Sequence, residues 1–212
     1  MNLAAVQEVR NRSFAPLNEC KSALEEANGD VEGALVVLQK RGVLRAAAAA
    51  SREAREGLVR SYVHNGKIAV LVEVNCETDF AARNPLFVKF VDDLAMHVAA
   101  ANPLGLNRES LQLTDAFFVQ RSIMDEENAA LSKKPPQVRQ QIWDGKWNKW
   151  YGSVCLMEQA SLIDESGKTI EALRAELSSQ LGENVVVRRY VRWELGDTLP
   201  KLVDPRSVTK VC

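Results

Sequence analysis

Residues 57–74, GLVRSYVHNGKIAVLVEV, decide the fold class. Two alternating segments, GLVRSYVH and KIAVLVEV, meet at Asn65-Gly66, and a period of two puts successive side chains on opposite faces of a strand. An Asn-Gly pair readily takes the positive φ angles of a two-residue hairpin, so the stretch predicts two antiparallel strands. In the second of them Ile68, Val70, Val72 and Val74 share one face. The next stretch, VNCETDFAARN (74–84), has the composition of a turn. From Asn84-Pro85 onward the apolar positions Phe87, Phe90, Val91, Leu94 and Val98 return at helical spacing. A strand pair followed by an amphipathic helix gives an α+β fold, with helices packed on one face of a small antiparallel sheet. Phe80, beside Asp79, stands out in this frame because turns seldom carry a large apolar side chain. Either it folds back under the helix, or it is held out for a partner to receive.

Upstream, the first forty residues read as three short helices. Leu3, Val6 and Val9 fall on one face. Pro16 suits the first position of a second helix striped with Leu17, Cys20, Leu24 and Ala27. After the turn ANGD, Asp30 can cap a third helix carrying Val31, Ala34, Leu35 and Leu38, which Gly42 is expected to end. LRAAAAASREAREG (44–57) favours helix but holds almost no large apolar residue, so it reads as a linker. Downstream, helices are expected over 106–131 and 135–149, separated by SKKPP, with a strand around Gly152–Met157. A helix over Thr169–Leu181 and a long final strand in ENVVVRRYVRWELG follow. Beyond Gly196 the tail has two prolines and little pattern.

The chain has 212 residues, 46% of them apolar and 26% charged, a balance that supports a folded core and argues against disorder. A net charge of −1 removes the main electrostatic argument for nucleic-acid or anionic-membrane binding. No apolar run approaches the roughly 20 residues that cross a bilayer. The opening MNLAAVQEVRNR carries Glu8 and no signal-peptide core, so a cytoplasmic, non-exported protein is expected. The four cysteines (Cys20, Cys76, Cys155, Cys212) are scattered without a CxxC spacing, which fits thiols in a reducing compartment.

Catalytic signals are sparse. Only two histidines exist, His64 and His97, and neither has a neighbour at metal-ligand spacing; an enzyme would need a Cys–His pair assembled in space. SGKT (166–169) resembles the end of a phosphate-binding loop, but Leu162 occupies the position of the required glycine, so no direct nucleotide binding and no cofactor are expected. His97 lies at the edge of its helix's apolar stripe with Asp93 one turn earlier, and a His97–Asp93 hydrogen bond is the plain expectation. Lys21 flanks the stripe of the second helix, as a solvated lysine that buries its stem does. KKPPQVRQQIWDGKWNKWY (133–151) interleaves five basic residues with three tryptophans. That opens an alternative function, a nucleic-acid-binding module stacking bases on Trp143, Trp147 and Trp150. Ile142, Trp143, Lys146, Trp147 and Trp150 also follow helical spacing, which favours a packed amphipathic helix.

Several motifs in order resemble one family. NECKSALEEANGDVEGAL (18–35), EVNCETDFAARN (73–84), LAMHVAAANP (94–103) and GENVVVRRYVRWELG (182–196) are similar to segments of elongation factor Ts, the guanine-nucleotide exchange factor of elongation factor Tu. The resemblance covers residues 3 to about 196. It implies a three-helix ubiquitin-associated-like (UBA-like) domain over 1–43, a helical linker over 44–56, a core (dimerisation) domain with a three-stranded antiparallel sheet over 57–196, and an unmatched tail over 197–212. With one Thr-Asp-Phe copy the chain is similar to the short form of the family, whose members pair to rebuild a doubled core; a homodimer is implied. Two segments depart from the family pattern. Ser13-Phe14-Ala15-Pro16 stands where Thr-Gly-x-Gly or Thr-Gly-x-Ser is usual, and Gln159-Ala160-Ser161-Leu162 where Gln-Pro-Phe-Val is usual.

The resemblance also implies roles. Asp79 and Phe80, preceded by Thr78, would insert between two helices of the partner's nucleotide domain and disturb its magnesium and phosphates. Lys21 would dock the N-terminal helices on that domain. Ile68 and Ala69 at the hairpin, His97 on the core, and Leu162 and Ile163 in a loop would supply further contacts. In a homodimer the wedge and the His97 contact would come from different protomers. Such exchange makes and breaks no bond, so no catalytic residue, metal site or membrane contact is implied.

Overall fold

The computed structural model describes residues 3–13, 15–49, 51–132 and 134–197. In chain order, three helices open the chain: α1 (Leu3–Ser13), α2 (Leu17–Glu26) and α3 (Val31–Ala49). Strands β1 (Glu56–His64) and β2 (Ile68–Cys76) follow, then α4 (Asp79–Ala82), α5 (Pro85–Ala101), α6 (Arg108–Leu111), α7 (Asp115–Ala130), α8 (Pro136–Val154), α9 (Ile170–Leu181) and β3 (Val186–Glu194). The fold is α+β with a three-stranded antiparallel sheet in the order β1-β2-β3.

The hairpin closes where the sequence places it. His64 sits opposite Ile68, and Asn65 and Gly66 have φ of 51° and 67°, the left-handed pair whose twist matches that of the strands. Alternation then sorts the residues of β2. Val70, Val72 and Val74 are buried against Phe87, Val91, Leu94 and Val98 of α5, with Ile170 and Leu177 of α9 in the same cluster. Each fully buried side chain of this size contributes roughly 1.5–3 kcal/mol. The opposite face bears Val59 and Val63 of β1, Leu71 of β2, and Val191 and Trp193 of β3, all exposed. The sheet's second face thus carries exposed apolar side chains together with the Glu73–Arg189 ion pair, and α5 covers the first.

The N-terminal trio buries Val6, Val9, Cys20, Leu24 and Leu38. Leu3, expected on the same stripe, starts α1 and is exposed. Pro16 directly precedes α2, one position before the place expected for it. Asp30 caps α3, its Oδ2 accepting from the Gly33 N–H at 2.8 Å.

Gly42 does not end α3, contrary to the expectation from sequence. It lies where α3 crosses α9, and a Cβ there would come within 2.8 Å of Ser179 Oγ. A glycine inside a helix costs about 1 kcal/mol against alanine. Here its lack of a side chain permits the close crossing, and the helix continues to Ala49.

Two further expectations are corrected downstream. The helix expected over 106–131 is broken into α6 and α7, because Thr114 leaves the helical conformation and caps α7, its Oγ1 accepting from the Phe117 N–H at 3.3 Å. The strand expected around Gly152–Met157 does not form. Helix α8 runs to Val154, Cys155 makes a single bridge with Gly105, and Leu156–Glu158 form a 3-10 turn. Tyr151 and Cys155, one helical turn apart, cluster with Leu111. A short apolar run of this kind fits a buried helix end as well as a strand. Among the described residues no helix is long and apolar enough to cross a membrane.

Candidate functional site

The turn between β2 and α5 holds Phe80 out. Its ring is 80% exposed, whereas Ala81 and Ala82 on the other side of α4 are buried in the core. Thr78, in extended conformation, caps α4: its Oγ1 accepts from the Ala81 N–H at 3.2 Å. Asn84 then caps α5 through Leu86 N–H at 2.9 Å, with Pro85 at the first helical position. Two caps in quick succession leave the chain between them little freedom. Asp79 pairs with Arg83 at 3.0 Å on the surface, a contact of small energetic weight.

A second turn, at residues 182–184, braces the first. Glu183 Oε2 accepts from the N–H groups of Glu77 and Thr78, both at 3.1 Å, and Glu183 Oε1 accepts from the Thr78 hydroxyl at 2.6 Å. In return Glu77 Oε1 accepts from the Asn184 N–H at 2.5 Å and lies 3.3 Å from Arg52 Nε. Asn184 Nδ2 donates to the Arg52 carbonyl at 2.7 Å. Sequence reading passed over Glu183, Glu77, Asn184 and Arg52 as parts of this site. Glu183 stands 105 residues from Thr78, and its only sequence trace was the Gly-Glu-Asn at the end of a helix. Burial, assisted by the nearby Glu183 carboxylate, pushes the Cys76 thiol up to about 11, and the neutral thiol donates to the Thr78 carbonyl at 3.2 Å.

His97 is fully buried, not at a boundary, and its expected bond to Asp93 does not exist. Asp93 is taken by Lys89, Nζ to Oδ2 at 2.5 Å. The His97 ring turns inward instead: Nε2 lies 3.0 Å from Gln159 Oε1, and Nδ1 accepts from the Leu162 N–H at 3.2 Å. An accepting Nδ1 fixes the proton on Nε2, so the ring is neutral, and burial holds its pKa below the ordinary histidine value. Gln159 Nε2 donates onward to the Ser153 carbonyl at 2.7 Å. The chain His97–Leu162 thereby presents Leu162, 62% exposed, and Ile163, 36% exposed. His97 itself offers no surface.

The remaining sequence candidates lie elsewhere. Lys21, half-buried on α2, forms no ion pair among the described residues. Ile68 faces the core and Ala69 the outer side of the sheet, so the hairpin pair points in two directions. From Pro85 to His97 helix α5 rises about 18 Å, which separates the Phe80 turn from the Leu162 loop along one helix. Phe14 of the altered Ser13–Pro16 segment and the tail beyond Asp197 lie outside the described residues.

Among the described residues no group of three or more His, Cys, Asp or Glu could hold a metal ion. Cys20, Cys76 and Cys155 donate to backbone carbonyls and none is bonded to a histidine. Lys168 of the SGKT loop pairs with Glu176 at 2.6 Å, and Thr169 caps α9. The tryptophans of α8 pack on each other and on Phe117, with Phe117–Trp147 and Trp147–Trp150 centroids 5.4 and 5.5 Å apart. Lys146 pairs with Glu127. The rings of that helix thus stack within the protein, and one of its lysines, Lys146, is paired there.

The turn between β2 and α5 thus presents an exposed aromatic, Phe80, between two helix caps and above the Glu183 brace. The family model for elongation factor TS matches residues 5–197. The chain is 43% identical over 204 residues to the elongation factor Ts of Geotalea daltonii, covering 95% of this chain and 93% of the relative. It is 45% identical over 193 residues to that of Thermosipho melanesiensis, covering 91% and 97%, and 44% identical over 199 residues to that of Geobacter sulfurreducens, covering 93% and 91%. The chain belongs to the elongation factor Ts family.

Proposed function

We propose that this chain is a guanine-nucleotide exchange factor for elongation factor Tu, and that Asp79-Phe80 is the wedge that opens the partner's nucleotide site. The observation that carries this reading is Phe80, 80% exposed on a turn whose neighbours are capped, buried and hydrogen-bonded. Burying such a ring in a partner pocket gains a few kcal/mol. That gain stabilises a partner conformation that holds magnesium and phosphates poorly. Coupling is reciprocal, so returning nucleotide weakens the factor by the factor's own effect on nucleotide. No bond is made or broken.

In this reading the helices over 1–43 dock on the partner's nucleotide domain through Lys21, joined by the linker over 44–56 to the core over 57–196. Leu162 and Ile163 make a second contact. His97 serves that contact indirectly, by fixing the Leu162 N–H, since its ring reaches no surface. The uncovered sheet face (Val59, Val63, Leu71, Val191, Trp193) is the surface on which two copies pair, which brings a wedge from one protomer and a Leu162 loop from the other into one docking site.

Stopped-flow release of fluorescent GDP from elongation factor Tu tests the exchange activity. Micromolar chain should accelerate release and should hydrolyse no GTP by itself. Release at the spontaneous rate would sink the assignment.

A further inference from the structure

We infer that Glu183 is a positioning residue for exchange, its carboxylate fixing the direction in which Phe80 points; this rests on Phe80 being the wedge. A helix of four residues has no stability of its own, because nucleating a helical turn is unfavourable. The geometry of α4 is therefore imposed from outside. Below it, Ala81 and Ala82 are buried. At its start, the Thr78 hydroxyl must accept from the Ala81 N–H, and it does so only while its own proton points elsewhere. Glu183 Oε1, at 2.6 Å, takes that proton and leaves the lone pair facing Ala81. Oε2 takes the two preceding N–H groups of the same turn. Three donors of one turn thus converge on one carboxylate, in charge-assisted bonds stronger than neutral ones.

Glu77 reciprocates on the other turn. It accepts from the Asn184 N–H and pairs with Arg52, whose guanidinium also donates to the Gly182 carbonyl at 3.0 Å. Each turn holds the other's backbone by a carboxylate. Among the described residues the carboxylate of Glu183 bonds to the β2–α4 turn alone, so what it secures is the base of the element bearing Phe80. A ring that is 80% exposed gains little orientation from its own packing. If the base were loose, the ring would lose that freedom on docking, and binding energy otherwise available to distort the partner would be consumed.

The experiment is a double-mutant cycle on exchange. Phe80→Ala, Glu183→Ala and the double variant are compared with the parent for stimulated GDP release from elongation factor Tu. Glu183→Ala should slow release about tenfold on the parent background, and less than about twofold when Phe80 is already gone, because the clamp acts through the ring. Equal slowing on both backgrounds, or no slowing where Phe80→Ala is slow, would overturn the clamp and leave the wedge standing. Phe80→Ala exchanging at the parental rate would overturn the wedge itself, whatever Glu183 does. Should Glu183→Ala fail to fold, Glu183→Gln keeps the shape and one accepting oxygen. Its release rate should fall together with a rise in deuterium uptake over residues 76–84. Slowed release with unchanged uptake there would overturn the clamp.

Discussion

Phe80 and Phe87 stand on either side of Asn84-Pro85, and the structure treats them in opposite ways. Phe87 is fully buried against the sheet, while Phe80 is 80% exposed. The residue type is the same and the distance along the chain is short. What differs is the element: α5 is a long helix whose stripe meets β2, whereas α4 is a single turn held by Thr78 and Glu183. Burial energy is thus committed to the folded state at Phe87 and left uncommitted at Phe80. The contrast separates a residue that makes the fold from one the fold presents.

Substitution at both positions is the hardest test of that contrast. Phe87→Ala should cost about 3–5 kcal/mol of stability, the usual loss for a buried aromatic, with exchange reduced only in proportion to the unfolded fraction. Urea denaturation measures it; a loss under about 1 kcal/mol would break the contrast.

The outer sheet face offers a second exposed aromatic. Trp193→Lys should weaken self-association by about 2 kcal/mol or more, the scale of a tryptophan hot spot, while leaving the monomer's melting temperature nearly unchanged. Sedimentation equilibrium decides this, and a parent that stays monomeric at high micromolar concentration would remove the sheet face as a pairing surface. Phe80→Ala comes next. It should melt within a few degrees of the parent yet exchange at least about tenfold slower, equivalent to about 1.4 kcal/mol of coupling. A badly destabilised Phe80→Ala would place the ring in the core after all.

The smallest effect concerns His97. Its pKa is lowered in the folded state, so the unfolded chain binds the proton more readily. The stability contributed by the neutral ring is present above the unfolded value, about 6.5, and is lost as pH falls from there towards the lower folded value. Protonation at Nδ1 also ends its acceptance from Leu162 N–H. Denaturation midpoints between pH 7.5 and 5 should therefore decline more for the parent than for His97→Gln. Parallel profiles would show that His97 does not govern the Leu162 loop through its protonation state.

Which parts of this the sequence revealed follows from the range of the forces involved. The hairpin, the α5 stripe and the cap at Asp30 depend on neighbours a few residues away, and local pattern exposes them. So does the oddity of Phe80, although spacing alone left two fates open for it. Gly42 misled because its signal as a helix terminator is local, while its cause, the close approach of Ser179, is distant in the chain. His97 misled in the same way: Asp93 is the near neighbour, but Gln159 and Leu162 are the actual partners. The Glu183 brace is the extreme case, a carboxylate whose bonds to Glu77 and Thr78 each cross more than a hundred residues.

The unbroken passage of α3 through Gly42 has a geometric corollary. Leu38, in the N-terminal cluster, and Gly42, against α9, lie one helical turn apart on the same side of one rod. The rod therefore sets a phase between the helices bearing Lys21 and the core bearing Phe80. Each residue inserted between Leu38 and Gly42 would rotate one unit against the other by about 100° and lengthen the span by about 1.5 Å. Two insertions would place Lys21 on nearly the reverse side, and only about seven would bring the two units back into phase. Spacing along this helix is in that sense a gear ratio, fixed by angle more tightly than by length.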